Sequence, residues 1–448
     1  MTTLTAPSIV TKLPGPKAKA LIEKDERFVS QHFKKDYPLV VEEASGMVVT
    51  DPDGNRFLDF AAGIAVCSTG HCHPRVVAAI REQAGKLLHM CPTDFYTRPV
   101  AELAERLAQV APVRSGGGSP RVFFTNSGAE AVETSIKLAR LRTKRQKIVA
   151  FFGAFHGRTM GAVSLTASKA VQRKGYGPML PEVHHTYYAQ CYRCPVGLAP
   201  ETCEVECLDH LEKTLFKSIA PPEEIAAIIV EPVQGEGGYF VPKKEFLTKL
   251  RALADEHGIL LIADEVQAGM GRTGKLFASE HFDLHPDIIV LAKGIASGMP
   301  LAAIVAGDKL LQWNSGGHGS TYGGNAVSCA AALATLDLLQ EGLTANAAKV
   351  GAHLLGRLQE LKGKHPVVGD ARGLGLMLAI DLVKDRESRA PAKELVDPVL
   401  KAAFERGLLL LGCGESAIRL APPLIVTEEE ADVAVRILDE ALQSVRAA

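Results

Sequence analysis

The strongest pattern in the chain is two uninterrupted apolar runs, I-L-L-I-A-D from Ile259 and D-I-I-V-L-A-K from Asp287, on either side of a glycine-rich loop. Apolar side chains at every position, rather than every second one, predict strands buried on both faces, as in a parallel sheet. Each run stops at a single charge, Asp264 and Lys293. The carboxyl end of a buried parallel strand is the rim where open α/β sheets bind ligands. A third run, I-A-A-I-I-V, stops at Glu231 and leads into E-P-V-Q-G-E-G-G, which carries Glu236. Between it and Ile259, K-K-E-F-L-T-K-L-R-A-L-A-D-E-H places Phe246, Leu250 and Leu253 at helical spacing, and Gly258 ends the helix. Strand, helix, strand predicts a βαβ unit that delivers Asp264 to the sheet edge.

The same alternation extends in both directions. R-V-F-F-T predicts a strand followed by a helix that begins at Ser127-Gly128-Ala129, and K-I-V-A-F-F predicts a strand that enters the loop G-A-F-H-G-R-T. After Lys293, L-A-A-I-V-A predicts another strand, and H-G-S-T-Y-G-G-N a polar loop with Thr321. Helices are predicted near Lys17 to Val29, from Pro74, from Pro99 to Val110, and over Ala326 to Leu339 and Asn346 to Leu361. Short strands start at Leu39 with L-V-V-E-E, and D-P-D-G-N marks a hairpin turn. The C-terminal part alternates again, as mixed βαβ: D-A-R-G-L-G-L-M-L-A-I-D-L, a helix near Leu395 to Arg406, L-L-L-L, then A-I-R-L with Arg419, and a last helix from Glu428 to Val445. The expected organisation is an arm and part of a small domain over 1–75, a large domain over 76–344, and a C-terminal small domain over 345–448. No internal repeat is visible.

Composition narrows the function. With 448 residues, 47% hydrophobic and 23% charged, the chain can bury a large core. A net charge of −1 leaves no basic face for nucleic acid and no polybasic membrane patch. The N-terminus lacks the charged and apolar regions of a secretory signal, and no apolar run approaches spanning length, so a cytoplasmic protein without a membrane partner is expected. Nine cysteines, an odd number, fit reduced thiols better than a disulfide framework. Small-molecule chemistry remains.

Asp264 and Lys293 together suit pyridoxal phosphate, whose aldehyde is held by a lysine amine and whose ring nitrogen stays protonated beside a carboxylate. Taken singly, Asp264 could cap a helix and Lys293 could be a lysine extending to solvent. The free amides at Gly128 and Ala129 would open a helix and form an anion site, although S-x-x-E is also a plain capping box. Phe155 could lie on a flat ring, Arg158 could clamp a carboxylate, and Thr321 could reach a phosphate. Core packing and a solvated arginine are the competing readings for Phe155 and Arg158. His71, Cys72 and His73 lack metal-ligand spacing.

The motifs D-F-A-A-G-I-A-V, G-H-C-H-P, N-S-G-A-E-A-V-E, F-H-G-R-T, E-P-V-Q-G-E-G-G, I-A-D-E-V-Q-A-G-M-G-R-T-G, A-K-G, S-T-Y-G-G-N and R-L-A-P-P-L follow one another in a single order. In this the chain resembles, over nearly its whole length, the class III aminotransferases of fold type I, and most closely the bacterial 4-aminobutyrate aminotransferases. The resemblance implies an α/β fold with a large, mostly parallel, doubly wound sheet and a small α+β domain formed by both chain ends. It also implies a homodimer with shared active sites. By the same resemblance Lys293 carries the cofactor and Asp264 partners its ring nitrogen. Val266 and Phe155 cover the two ring faces, with phenylalanine where many relatives have tyrosine. Gln267 holds the phenolic oxygen; Gly128, Ala129 and the neighbouring subunit's Thr321 bind the phosphate. Arg158 takes the remote carboxylate of an ω-amino acid, and Arg419 the α-carboxylate of glutamate. Glu236 neutralises Arg419 otherwise, and Ile64 forms an apolar wall. The implied reaction moves an amino group from 4-aminobutyrate, or a similar amino donor, to the 2-oxo acid 2-oxoglutarate, giving the semialdehyde and L-glutamate by a ping-pong mechanism.

Two features leave alternatives open. Cys191-x-x-Cys194 and Cys203-x-x-x-Cys207 fall in a segment unlike the better-known bacterial relatives. Four thiolates could bind zinc or an iron–sulfur cluster, or the segment could be an insertion with free or partly paired thiols; no residue is assigned to a metal. Some relatives are amino-acid racemases or epimerases using the same lysine, and ornithine and acetylornithine aminotransferases share F-H-G-R-T. A non-catalytic metal-binding protein is the alternative from another class, disfavoured by the joint presence of Lys293, Asp264 and Gln267.

Overall fold

The structure is a computed structural model that describes residues 6–33 and 35–446. Its contacts divide the chain into two compact units, one of Met1–His73 with Ala345–Ala448 and one of Pro74–Thr344. Both chain ends share the first unit.

In the first unit the hairpin is built of β1 (Glu43–Ser45), β2 (Val48–Thr50) and β3 (Arg56–Asp59). The expected strand at L-V-V-E-E begins only at its last residue, because the ladder with β2 starts at Glu43↔Thr50 and Val41 is exposed. The turn after β2 is closed by Asp51, whose Oδ1 accepts from the Asp53 and Asn55 amides at 3.0 and 2.8 Å. Phe57 of β3 stacks on Phe404 at 5.3 Å between ring centroids.

Asp59, the last residue of β3, fixes the G-H-C-H-P loop. Its Oδ1 accepts from the Ala61 and Ala62 amides at 2.7 and 3.0 Å, and its Oδ2 lies 2.7 Å from His71 Nε2. Burial lowers the His71 pKa, but hydrogen bonds to Asp59 and Cys67 outweigh it and carry the imidazole from 6.5 to about 10. Folding therefore favours the protonated ring. That stabilisation is complete below about 6.5 and is lost as pH rises through 10. Melting temperature is expected to fall from pH 7 to pH 10 by about 2 °C or more from this pair. His71→Asn should lower the melting temperature at pH 7 and flatten the slope; an unchanged slope would remove His71 from the account.

The second unit holds β4 (Pro120–Thr125), β5 (Lys147–Phe151), β6 (Val183–Thr186), β7 (Ile225–Val230), β8 (Leu260–Asp264), β9 (Ile288–Leu291) and β10 (Ala302–Gly307). They form one seven-stranded sheet in the order β4-β10-β9-β8-β7-β5-β6. The five strands β6, β5, β7, β8 and β9 pair in parallel, and β10 runs antiparallel to both β9 and β4. Since β4 and β9 both oppose β10, they point the same way. The carboxyl ends of β4, β5, β7, β8 and β9 therefore share one edge. Every residue of β7, β9 and β10 is buried, which accounts for their unbroken apolar sequences. β6 was hidden because V-H-H-T breaks the apolar run; it pairs through Ile148↔Val183 and Phe151↔Thr186.

The C-terminal strands are β11 (Val368–Leu374), β12 (Met377–Leu382), β13 (Leu408–Leu409), β14 (Leu411–Cys413) and β15 (Ala417–Leu420). The expected mixed βαβ pattern is corrected here. β11-β12-β15-β14 is antiparallel throughout, whereas β13 leaves it to pair in parallel with β3 through Leu408↔Leu58. The run L-L-L-L is thus divided between two sheets. A helical stretch over 326–364, the only one among the described residues, is long and apolar enough to cross a membrane, and 56% of its most apolar window is buried inside the protein. The stretch is kinked where the sequence separates two helices: Gly342, within the π-turn Leu339–Leu343, has non-helical backbone angles.

Candidate active site

Asp264 closes β8 with only 3% of its surface exposed. Its Oδ2 lies 2.7 Å from His156 Nδ1, and its Oδ1 accepts from the Val266 amide at 3.0 Å. A buried carboxylate needs such partners, because desolvating an unpaired charge is costly. Burial lowers the His156 pKa, but Asp264, with help from Glu231, reverses this and holds it above its ordinary value. His156 comes from the loop after β5. The imidazole therefore holds a proton more readily than an isolated histidine, beside the Asp264 carboxylate.

Glu231 follows β7 directly and ties the neighbouring loops. Its Oε2 accepts from the Phe155 amide at 3.3 Å and its Oε1 from the Gly235 amide at 3.0 Å. Burial raises its pKa to about 7, with His156 opposing and Asp264 adding to the rise. Glu265 is equally buried and accepts from the Ala278 and Ser279 amides at 2.7 Å each and from Ser279 Oγ at 2.6 Å, anchoring the loop after β8.

Lys293 stands two residues beyond β9, not at its end, and opens a short 3₁₀ turn, Lys293–Ile295, with φ +46. A left-handed backbone is unfavourable for a side-chain-bearing residue and is found where surrounding structure imposes it. Gly128, the first residue of the helix Gly128–Thr143, is packed against the same strand ends. A Cβ there would come within 3.1 and 3.2 Å of the Val266 methyls and 3.6 Å of Ala292 Cβ. Ser127 caps this helix by accepting from the Glu130 amide at 3.3 Å. Behind it, Gly157 adopts φ +135, and a Cβ there would lie 2.7 Å from Ala129 Cβ. The structure thus brings Gly128, Ala129, Val266, Asp264 and the Ala292–Lys293 turn to one edge of the sheet.

Phe155 is half-buried, and the Arg158 guanidinium carbon lies 5.5 Å from its ring centre with the side chain exposed. Gln267 Oε1 accepts from Tyr239 Oη at 2.8 Å. Glu236 Oε1 accepts from Lys169 Nζ at 2.7 Å. Thr321 is exposed in the loop that precedes the helix Ala326–Leu338, which Asn325 caps. Ile64 and Arg419 belong to the other unit. There Ile64 is 46% exposed with φ +66, and Arg419 sits on β15 opposite Ala379 and Leu411 with 7% exposure.

His156 and Glu231 were not picked out as site residues from the sequence. Both lay in motifs already recognised, F-H-G-R-T and E-P-V-Q-G, and Glu231 was visible as a strand-end carboxylate, but neither could be given a role until its partner across the sheet was known.

These features fit a flat anionic aldehyde cofactor. A buried carboxylate paired with a histidine suits a protonated ring nitrogen, and a helix whose first residue, Gly128, has no side chain suits a phosphate. Residues 29–442 match the family model described as aminotransferase class-III. The chain is 39% identical to an alanine/serine racemase of Pyrococcus horikoshii, over 98% of this chain and 93% of that protein. It is 39% identical to a 4-aminobutyrate aminotransferase of Escherichia coli, over 94% of this chain and 97% of that protein. Among solved structures it is similar to an amine transaminase from an uncultivated Pseudomonas species with pyridoxal phosphate bound. The TM-score is 0.86 at 35% identity, covering 93% of this chain and 98% of that one. The chain therefore belongs to the class-III aminotransferases of fold type I, and its cofactor is pyridoxal phosphate.

Proposed function

We propose that this protein moves the amino group of 4-aminobutyrate, or a similar ω-amino acid, to 2-oxoglutarate in two half-reactions at one site, acting as a cytoplasmic homodimer. Pyridoxal phosphate, when bound, supplies an aldehyde for the amine and a ring that withdraws electrons from the carbon bearing it. Asp264, with His156 behind it, keeps a proton on the ring nitrogen. Lys293 Nζ holds the cofactor, then carries a proton from one carbon to another as base and acid. Phe155 and Val266 cover the ring faces, Gln267 holds the phenolic oxygen, and Gly128, Ala129 and a second copy's Thr321 hold the phosphate.

Arg158 is the observation that favours an ω-amino donor. It is an exposed guanidinium held beside the Phe155 ring, where it offers a bidentate site for a carboxylate remote from the reacting amine. Arg419 receives the α-carboxylate of glutamate, Glu236 neutralises it when the donor has none there, and Ile64 forms the apolar wall. Arg419→Ala is expected to slow the glutamate half-reaction by about 100-fold, a charge-assisted pair's worth, and the 4-aminobutyrate half-reaction by less than about tenfold. Equal losses in stopped-flow half-reactions would remove this assignment.

A second reading has its own support. The Pyrococcus horikoshii racemase aligns with 98% of this chain, and racemisation needs the same lysine with the proton returned to Cα. Incubation with 4-aminobutyrate, L-ornithine or L-leucine, with and without 2-oxoglutarate, separates the two. Glutamate formed from 4-aminobutyrate only when 2-oxoglutarate is present supports the transaminase. A D-isomer formed without any oxo acid replaces it with the racemase.

A further inference from the structure

Four of the nine cysteines play no part in this chemistry, yet they converge. Cys191, Cys194, Cys203 and Cys207 line one small cavity with Gln190, Val205 and Lys243. The cavity is small, with room for a single small occupant. The segment around it has almost no regular structure. Between β6 and the helical turn His210–Leu215 it forms only two three-residue 3₁₀ turns, Cys191–Arg193 and Glu206–Leu208. Loops of this length inside a compact domain need something to hold them. Here the sulfurs occupy the place a small apolar core would take.

An amide donor and a lysine lie against these side chains. Cys203 Sγ accepts a hydrogen bond from the Val205 amide at 3.2 Å, and Val205, a β-branched residue, is held at φ +75 to provide it. Backbone strain in such a residue is kept only where the fold imposes it, and amide donors to sulfur tune thiolate ligands. Lys243 Nζ donates to the carbonyls of Pro200 and of Cys203, the latter at 3.1 Å, placing a cation beside the cluster and fastening the loop. Both pairs, with two and three intervening residues, have the spacing of structural zinc sites.

We propose that Cys191, Cys194, Cys203 and Cys207 bind one zinc ion as a tetrahedral thiolate site that fastens this segment to the large domain. Among the described residues no three ligating side chains yet stand at metal-holding distance. Zinc–sulfur bonds of about 2.3 Å require the sulfurs roughly 3.8 Å apart, so binding draws the four side chains inward onto the cavity. Four S–H bonds lose their protons to solvent and four Zn–S bonds form, leaving a net charge of −2 on the cluster beside Lys243. No electrons are transferred.

The holoenzyme is analysed by inductively coupled plasma mass spectrometry, both as purified and after incubation with zinc and removal of excess. The expected result is one zinc per chain. Cys191→Ser with Cys194→Ser is expected to lose it while keeping the cofactor's visible absorbance. Should that variant not fold, wild-type protein alone decides. Mercurial titration should release one zinc per four thiols, and cobalt substitution should give thiolate d–d bands in the red, clear of the pyridoxal chromophore. Less than about a tenth of an equivalent of zinc in both preparations, or iron with acid-labile sulfide in its place, would overturn the proposal. The readouts are metal and thiol, so they are independent of which amino donor the enzyme uses.

Discussion

Lys293→Ala is expected to lower kcat/KM by at least about 10⁴-fold, because one substitution removes both the amine that holds the cofactor and the base that moves the proton. The loss should be chemical, not structural. Lys293 already occupies a left-handed backbone conformation, so alanine inherits a strain the fold already bears and adds none. Circular dichroism and melting temperature should therefore stay close to wild type. An added primary amine of small size should restore part of the rate by supplying the missing base from solution. A variant with near wild-type turnover would mean another group moves the proton.

Asp264→Asn is expected to cost about 10³-fold in kcat, with the chain still folded and cofactor still bound. The substitution keeps the shape and removes the charge. Asparagine can accept from the Val266 amide in place of Oδ1, but it brings no negative charge to His156 at 2.7 Å or to a protonated ring nitrogen. Electrostatic groups preorganised in a dry site commonly account for losses of this size. His156→Asn acts through Asp264 and should cost less, about 10- to 100-fold, the range of a supporting hydrogen bond. It should also shift the pH profile of kcat, which loss of packing alone would not do. If Asp264→Asn kept activity within about threefold of wild type, the carboxylate would not be the ring-nitrogen partner.

Much of this architecture was legible because it lies in fully buried strands. β7, β8 and β9 are apolar at nearly every position for a physical reason: both faces are covered, so each run ends where the chain emerges at the carboxyl edge. Asp264, Glu231 and Lys293 mark that emergence. The spans of the helices Arg98–Val110 and Lys244–Glu256 were likewise fixed by an apolar stripe and a clear stop. The edge strand β6 and the two-residue strand β13 were not legible. β6 contains two histidines, His184 and His185, of which His185 Nε2 lies 3.1 Å from the Leu165 carbonyl outside the sheet ladder, and β13 is defined only by its long-range partner β3. The same limit applies to the site. His156 looks like any loop histidine until Asp264 is seen 2.7 Å away across 108 positions of sequence, and convergence of the four cysteines needs the turns that fold 191 back on 207. Local pattern reports burial and caps, whereas pairing between distant loops depends on the sheet order, which no local pattern contains.

The most direct test is mass spectrometry of the peptide containing position 293 after borohydride reduction of the purified yellow protein. The account predicts one pyridoxyl phosphate adduct per chain, on Lys293, absent from Lys293→Ala. A colourless protein that takes up no pyridoxal phosphate, or an adduct on another lysine, would contradict it.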